Sequence, residues 1–125
     1  MHIVSSQKAY QVLREQMNAD VEEFWVISLS SNKSVIAVKC LFRGTVDACL
    51  VHPRDVFRFA CLTNASSLII AHNHPTQDLT PSEADLRMTK KLVAVSRMMQ
   101  IPIIDHLITG SSSYKSFVDE KWSPF

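Results

Sequence analysis

Leu68-Ile69-Ile70-Ala71 constrains this chain more than any other stretch, because four apolar residues follow one another without polar alternation. A strand of that kind hides both faces, so it belongs inside a sheet covered on either side. The sequence supplies the cover. Thr80-Pro81-Ser82-Glu83 places a capping hydroxyl, a proline at the first helical position and a glutamate reaching back three residues later. That start predicts a helix running to about Gln100. Ile101 to Thr109 and Tyr114 to Phe117 then read as strands joined by Gly110-Ser111-Ser112-Ser113.

The upstream half alternates in the same way. Ser6 is placed to cap a first helix, with Ala9, Val12, Leu13 and Met17 at helical spacing and a polar Gln16 among them. Glu22 to Leu29 and Val35 to Phe42 are rich in aromatic and β-branched residues and predict a hairpin about Ser30 to Lys33. A short strand is expected around Val46 to Val51. His52-Pro53 opens a second helix whose core side uses Val56, Phe57, Ala60 and Cys61. Helices alternating with strands around one mixed sheet make an α/β layered fold.

The 125 residues form one expected domain, 1–125, and a chain of that size buries about two thirds of its unfolded surface. Thirteen basic and 12 acidic residues leave a net charge of +1. Such a balance offers no strong field to nucleic acid or an anionic membrane, so DNA affinity is expected at roughly 10⁻⁴ M or weaker at physiological salt. The apolar runs are too short to span a bilayer, and no basic-then-apolar signal segment opens the chain. Cys40, Cys49 and Cys61 stand far apart, an odd number with no C-x-x-C pair, and read as reduced, mostly buried thiols of a cytoplasmic protein.

Chemistry concentrates in His72-Asn73-His74-Pro75, with Ser82 and Asp85 beyond it. His72 ends the buried strand, and His74 is two residues on, where extended backbone turns both side chains to one side. Neutral imidazoles bind zinc well, and the capped helix brings Asp85 back to add an oxygen. Two nitrogens and one carboxylate leave the fourth tetrahedral position open, as in catalytic rather than structural zinc sites. Ser82 lies in the first helical turn, where free N–H groups favour negative charge, and its hydroxyl can donate to an oxyanion. A general base is still needed. Glu22 shares a strand face with Phe24 and Val26, and Glu23 the opposite face with Trp25 and Ile27. Local reasoning alone does not choose between the two glutamates.

His-x-His-Pro, six residues, Ser, two residues, Asp resembles the JAMM metallopeptidase motif, matched without a gap by His72, His74, Pro75, Ser82 and Asp85. The surrounding words resemble the RadC branch of that JAB/MPN superfamily: Glu22-Glu23-Phe24-Trp25, Phe42-Arg43-Gly44-Thr45, Val51-His52-Pro53-Arg54, Leu79-Thr80-Pro81-Ser82 and Asp105-His106-Leu107. The resemblance implies an α/β/α sandwich of the JAMM/MPN kind, related to the cytidine-deaminase fold. It implies one zinc ion per chain on His72, His74 and Asp85. Glu22, two residues before the strand's aromatic, takes the acid/base role by the same resemblance, and Ser82 stabilises the tetrahedral intermediate. The implied reaction is hydrolysis of a peptide or isopeptide bond. Thr76-Gln77 stands where RadC members usually carry Ser-Gly, which bears on loop shape and substrate fit. A stand-alone form without the N-terminal helix-hairpin-helix region of longer RadC proteins is expected.

Two other functions compete with hydrolysis. One is a DNA-repair-associated or accessory role through DNA or protein binding, which the charge balance does not favour. The other is a scaffold that has lost its ligands, which the intact ligand positions argue against. Of the remaining histidines, His52 reads as a helix-entry residue with a local hydrogen bond, and His106 as a core residue on one strand face with Ile104 and Ile108, with support of a ligand histidine from behind as the less favoured alternative. Asp105 reads as a turn anchor in preference to a group that orients a ligand histidine, and Asp78 as a loop carboxylate less suited to the metal than Asp85.

Overall fold

Local sequence sets each element, and the computed structural model describes them for residues 2–3, 5–17, 20–44 and 51–125. Helix α1 spans Ser6–Arg14 and buries Ala9, Tyr10 and Leu13. Its cap is Ser5, one residue earlier than the expected Ser6, because the Ser5 side chain accepts from the Lys8 N–H. Ser6 instead bonds to the Tyr114 hydroxyl at 2.9 Å and to Asp119. Strand β1, Glu23–Leu29, is buried at all seven positions, and β2, Val35–Arg43, is half-buried along its length. The expected strand near Val46 falls on 45–50, outside the described residues, as does Cys49.

Helix α2, Pro53–Leu62, starts with proline at its first turn as expected, but its core side is Val56, Phe57, Phe59 and Ala60. Cys61 is exposed and Cys40 half-buried, so neither is the buried thiol the composition suggested. His52 enters α2 without a side-chain capping bond, and its carbonyl takes the Asp55 N–H at 3.0 Å instead. Strand β3 is Ser67–Asn73, α3 is Glu83–Met99, β4 is Ile103–Thr109 and β5 is Tyr114–Ser116.

The five strands form one sheet in the order β2-β1-β3-β4-β5. β1 runs antiparallel to β2 and β3, β4 is parallel to β3, and β5 is antiparallel to β4. A parallel neighbour needs a crossover, which α3 provides. Phe24, Val26, Leu68 and Ile70 pack with Val56, Phe57, Met88 and Leu92 on the α2/α3 side. Trp25, Ile27, Ile69, Ala71 and Leu107 pack with Ala9 and Leu13 of α1 on the other. The expected α/β/α layering around a mixed sheet is therefore present. No helix among the described residues is long and apolar enough to cross a membrane.

One irregularity matters for the site. β3 and β4 pair Leu68 with Ile103 but Ile69 with Asp105, so β4 carries an extra residue there. An insertion of one reverses the side-chain parity. Ile104 consequently packs against the α1 cluster, not on the face of His106 as simple alternation predicted.

Asp105 is buried beside that bulge and anchors the C-terminal segment. Its Oδ1 accepts from the backbone N–H groups of His106 at 2.7 Å and Val118 at 3.1 Å, and its Oδ2 from the Ser116 hydroxyl at 2.5 Å. Burial pushes its carboxyl above the ordinary value, against these bonds. Asp105→Ala strands these donors and is expected to lower the unfolding free energy by about 1–3 kcal/mol in a urea titration.

Candidate metal centre

The site forms where β3 ends and α3 begins. Phe24 pairs with His72 across β1 and β3. The pairing ends there, and Glu22, two residues before Phe24, lies near enough to His74 for its charge to act on that ring. His72 is buried and His74 half-buried, and their Nε2 atoms are 2.9 Å apart. Asp85 joins them, with Oδ1 3.3 Å from His72 Nε2 and Oδ2 3.2 Å from His74 Nε2.

Helix α3 delivers Asp85 through its cap. Ser82, rather than the expected Thr80, is the N-cap, and the helix begins two residues later than the Thr-Pro signal suggested. The Ser82 hydroxyl accepts from the Asp85 N–H at 3.0 Å, and the Ser82 N–H donates to Asp85 Oδ2 at 2.9 Å. This reciprocal box outcompetes Thr80, whose own N–H donates to Asp78 Oδ1 at 3.1 Å. Asp85 therefore sits in the first turn of α3, where the helix dipole favours a carboxylate.

The donor set fits a divalent metal. Two imidazole nitrogens 2.9 Å apart repel unless a proton or cation lies between them. Ligands at zinc distances of about 2.0–2.1 Å on a tetrahedron stand about 3.3 Å from one another, close to the separations found here. His72, His74 and Asp85 are the one such group among the described residues. Three protein ligands leave a position for water or substrate. His74 Nδ1 lies 2.6 Å from the Asp78 carbonyl, which can only accept, so the ring donates there and Nε2 is the nitrogen that can give up its proton to a metal.

Electrostatics reinforce the arrangement. Burial works to raise the Asp85 carboxyl, but hydrogen bonds from His72 and His74 prevail and hold it well below the carboxylate range. The Asp85 hydrogen bond raises His74 above 6.5, against its burial, with the Asp78 carbonyl and the Glu22 charge adding to the rise. Glu22 thus acts electrostatically on the site. Glu23 does not face it. Fully buried, Glu23 accepts from Arg43 Nε at 2.6 Å and from Trp25 Nε1 at 3.2 Å. The Asn73 amide brackets Glu22, accepting from the Glu23 N–H at 2.6 Å and donating to the Val21 carbonyl at 2.7 Å.

Two residues lie closer to the chemistry than the sequence suggested. His106 takes the less favoured of its two expected roles: its Nε2 is 2.8 Å from His72 Nδ1, and it stacks on Phe117 with ring centroids 4.6 Å apart. Full burial drives its pKa well below 6.5, with the His72 charge adding to the fall. Thr89 Oγ1 stands 2.6 Å from His106 Nδ1 and was not singled out at all. Its spacing of four from Asp85 on one helix was the available signal.

The unusual loop keeps a glycine-like conformation. Gln77 has φ of 67°, the left-handed region, which is the backbone that the glycine expected at this position from the resemblance would adopt. The Gln77 Oε1 accepts from the Ser111 N–H at 2.8 Å, tying the loop to the β4–β5 connection. A cavity of about 140 Å³ borders His74 from the α1 side, with Tyr10, Arg14, Gln77 and Ser111 in its wall.

The sequence model described as a RadC-like JAB domain matches residues 3–122. A UPF0758 protein of Symbiobacterium thermophilum is 45% identical over 97 residues, covering 78% of this chain and 42% of the relative. One from Thermosynechococcus vestitus is 44% identical over 95 residues, covering 76% and 38% respectively. One from Protochlamydia amoebophila is 40% identical over 119 residues, covering 94% and 52%. The chain spans about half or less of the length of these relatives.

Elemental analysis after loading and desalting should find a divalent metal in the wild type and none in His72→Ala, His74→Ala or Asp85→Ala. Equal content in all four proteins excludes the centre. Because the raised His74 must lose its Nε2 proton to bind, affinity should climb as pH rises through 6.5 and beyond, while Asp85 stays ionised. A chelator competition run at several pH values checks the sign.

Proposed function

The chain belongs to the RadC-like JAB domain family, and from that premise we propose that it is a zinc-dependent hydrolase of amide bonds, taking a peptide or isopeptide as substrate. The convergence of two imidazole nitrogens and one carboxylate at tetrahedral spacing carries the reading. A zinc ion held there lowers the pKa of water towards ~7 and polarises a carbonyl.

The chain's own residues supply the rest. His72, His74 and Asp85 hold the ion, and the Ser82 N–H on Asp85 Oδ2 fixes the carboxylate. Glu22, whose charge acts on His74, takes the proton of the attacking water and passes it to the departing nitrogen. An amine leaves poorly without that proton, and a placed carboxylate typically contributes 10²–10⁴-fold. The Ser82 hydroxyl already accepts from the Asp85 N–H, so its own proton remains to donate to the oxyanion of the tetrahedral intermediate. Asn73 keeps the Glu22 backbone in place from the opposite face of the sheet.

Cleavage of a labelled peptide library by the zinc-loaded protein tests the reading. Glu22→Gln should keep its zinc and lose at least 10²-fold in turnover. Ser82→Ala should also slow turnover, and Glu23→Gln should leave the chemical step intact. Turnover that survives in Glu22→Gln and vanishes in Glu23→Gln overturns the assignment of the base. Hydrolysis of a phosphodiester but of no amide overturns the reaction.

A further inference from the structure

The His74 ring has a backbone carbonyl to set its tautomer, whereas the His72 ring faces another histidine. Two imidazoles joined through single nitrogens can share their proton either way, so the contact alone does not say which His72 nitrogen bears hydrogen. Thr89 resolves it. Its Oγ1 lies 2.7 Å from the Asp85 backbone carbonyl and 2.6 Å from His106 Nδ1. A carbonyl only accepts, and a threonine has one hydroxyl proton. That proton goes to the Asp85 carbonyl, since the alternative leaves two acceptor oxygens facing each other at 2.7 Å. Thr89 therefore accepts from His106 Nδ1–H. His106 Nε2 is then a lone pair, and His72 donates Nδ1–H to it across 2.8 Å. In the neutral ring the proton therefore stays on His72 Nδ1, and Nε2, towards His74 and Asp85, is the nitrogen left open to a metal.

We propose that Thr89 is a positioning residue for the metal, acting through His106 to hold His72 in its metal-binding tautomer. Thr89 and His106 are fully buried and His72 nearly so, which shields the hydrogen-bond order from exchange with solvent. Asp85 serves twice, with its carboxylate on the metal side and its carbonyl at the far end of the relay. Without the Thr89 hydroxyl, His106 Nδ1–H is a buried donor with no partner, which favours the other His106 tautomer. That tautomer donates from Nε2, forces His72 Nδ1 to accept, and leaves a proton on the His72 nitrogen the metal needs.

The proposal rests on the zinc centre of the preceding reading, but its test needs no substrate. Zinc affinity of the full chain is measured by chelator competition for wild type, Thr89→Val, Thr89→Ser and Thr89→Ala, each with a melting curve of the metal-free form. Wild type should bind zinc, Thr89→Ser should bind within a few-fold of it, and Thr89→Val should bind about 10–100-fold more weakly at similar metal-free stability. If Thr89→Val does not fold, Thr89→Ala decides in the same assay. Undiminished affinity in the hydroxyl-free variant overturns the proposal, as does an equal loss in Thr89→Ser, which points to packing of the methyl group. A wild type that takes up no zinc overturns the hydrolase reading itself, and this one with it.

Discussion

A histidine buried at the end of a central strand has two ring nitrogens that must find partners away from water. That requirement at His72 organises much of what surrounds it. One nitrogen is met by His106 from β4, which the parallel β3–β4 pairing brings alongside. The other meets His74 and Asp85, which need β3 to end at Asn73 and α3 to be capped by Ser82. The bulge that sends Ile104 to the α1 side leaves His106 on the side of His72. Moving any of these by one residue leaves His72 with a polar atom stranded in the core.

The sheet's two faces divide the remaining work. The α3 face carries Phe24 with His72 paired to it, while the opposite face carries Trp25 with Glu23 bonded to its ring. Adjacent glutamates thus meet different environments. Glu23 is tied to Arg43 and Trp25, a buried charge that is tolerable because it is paired and hydrogen-bonded. Glu22 stands before the strand begins and acts electrostatically on His74. The proposed chemistry needs a carboxylate near the ligands, and of the two glutamates Glu22 is the one whose charge acts on His74.

Much of this was legible in the sequence because it depends on local spacing. The ligand triad follows from strand parity and a capped helix, and the element order follows from periodicity and turn residues. The cap itself was misplaced. Thr80-Pro81 gives a strong local signal, but the Ser82–Asp85 box satisfies two backbone groups at once and wins. Thr89 was missed behind His106, and His106 was underrated as the partner of His72, for a different reason. Their roles arise from the pairing of β4 with β3 and the packing of α3 over it, contacts between segments far apart in sequence. The β4 bulge likewise leaves no local trace, and Cys61 is exposed because α2 turns Phe59 inward instead. At Gln77 the loop kept the left-handed turn that a glycine would take, with a side-chain bond to Ser111 beside it.

The account stands or falls on where zinc binds. A crystal of the zinc-loaded protein, measured on both sides of the zinc absorption edge, locates the ion directly. The account predicts one strong anomalous peak per chain, about 2.0–2.1 Å from the Nε2 atoms of His72 and His74 and about 2.0–2.2 Å from a carboxylate oxygen of Asp85. A zinc-loaded crystal with no peak among these three side chains, or with its one strong peak on other residues, contradicts it.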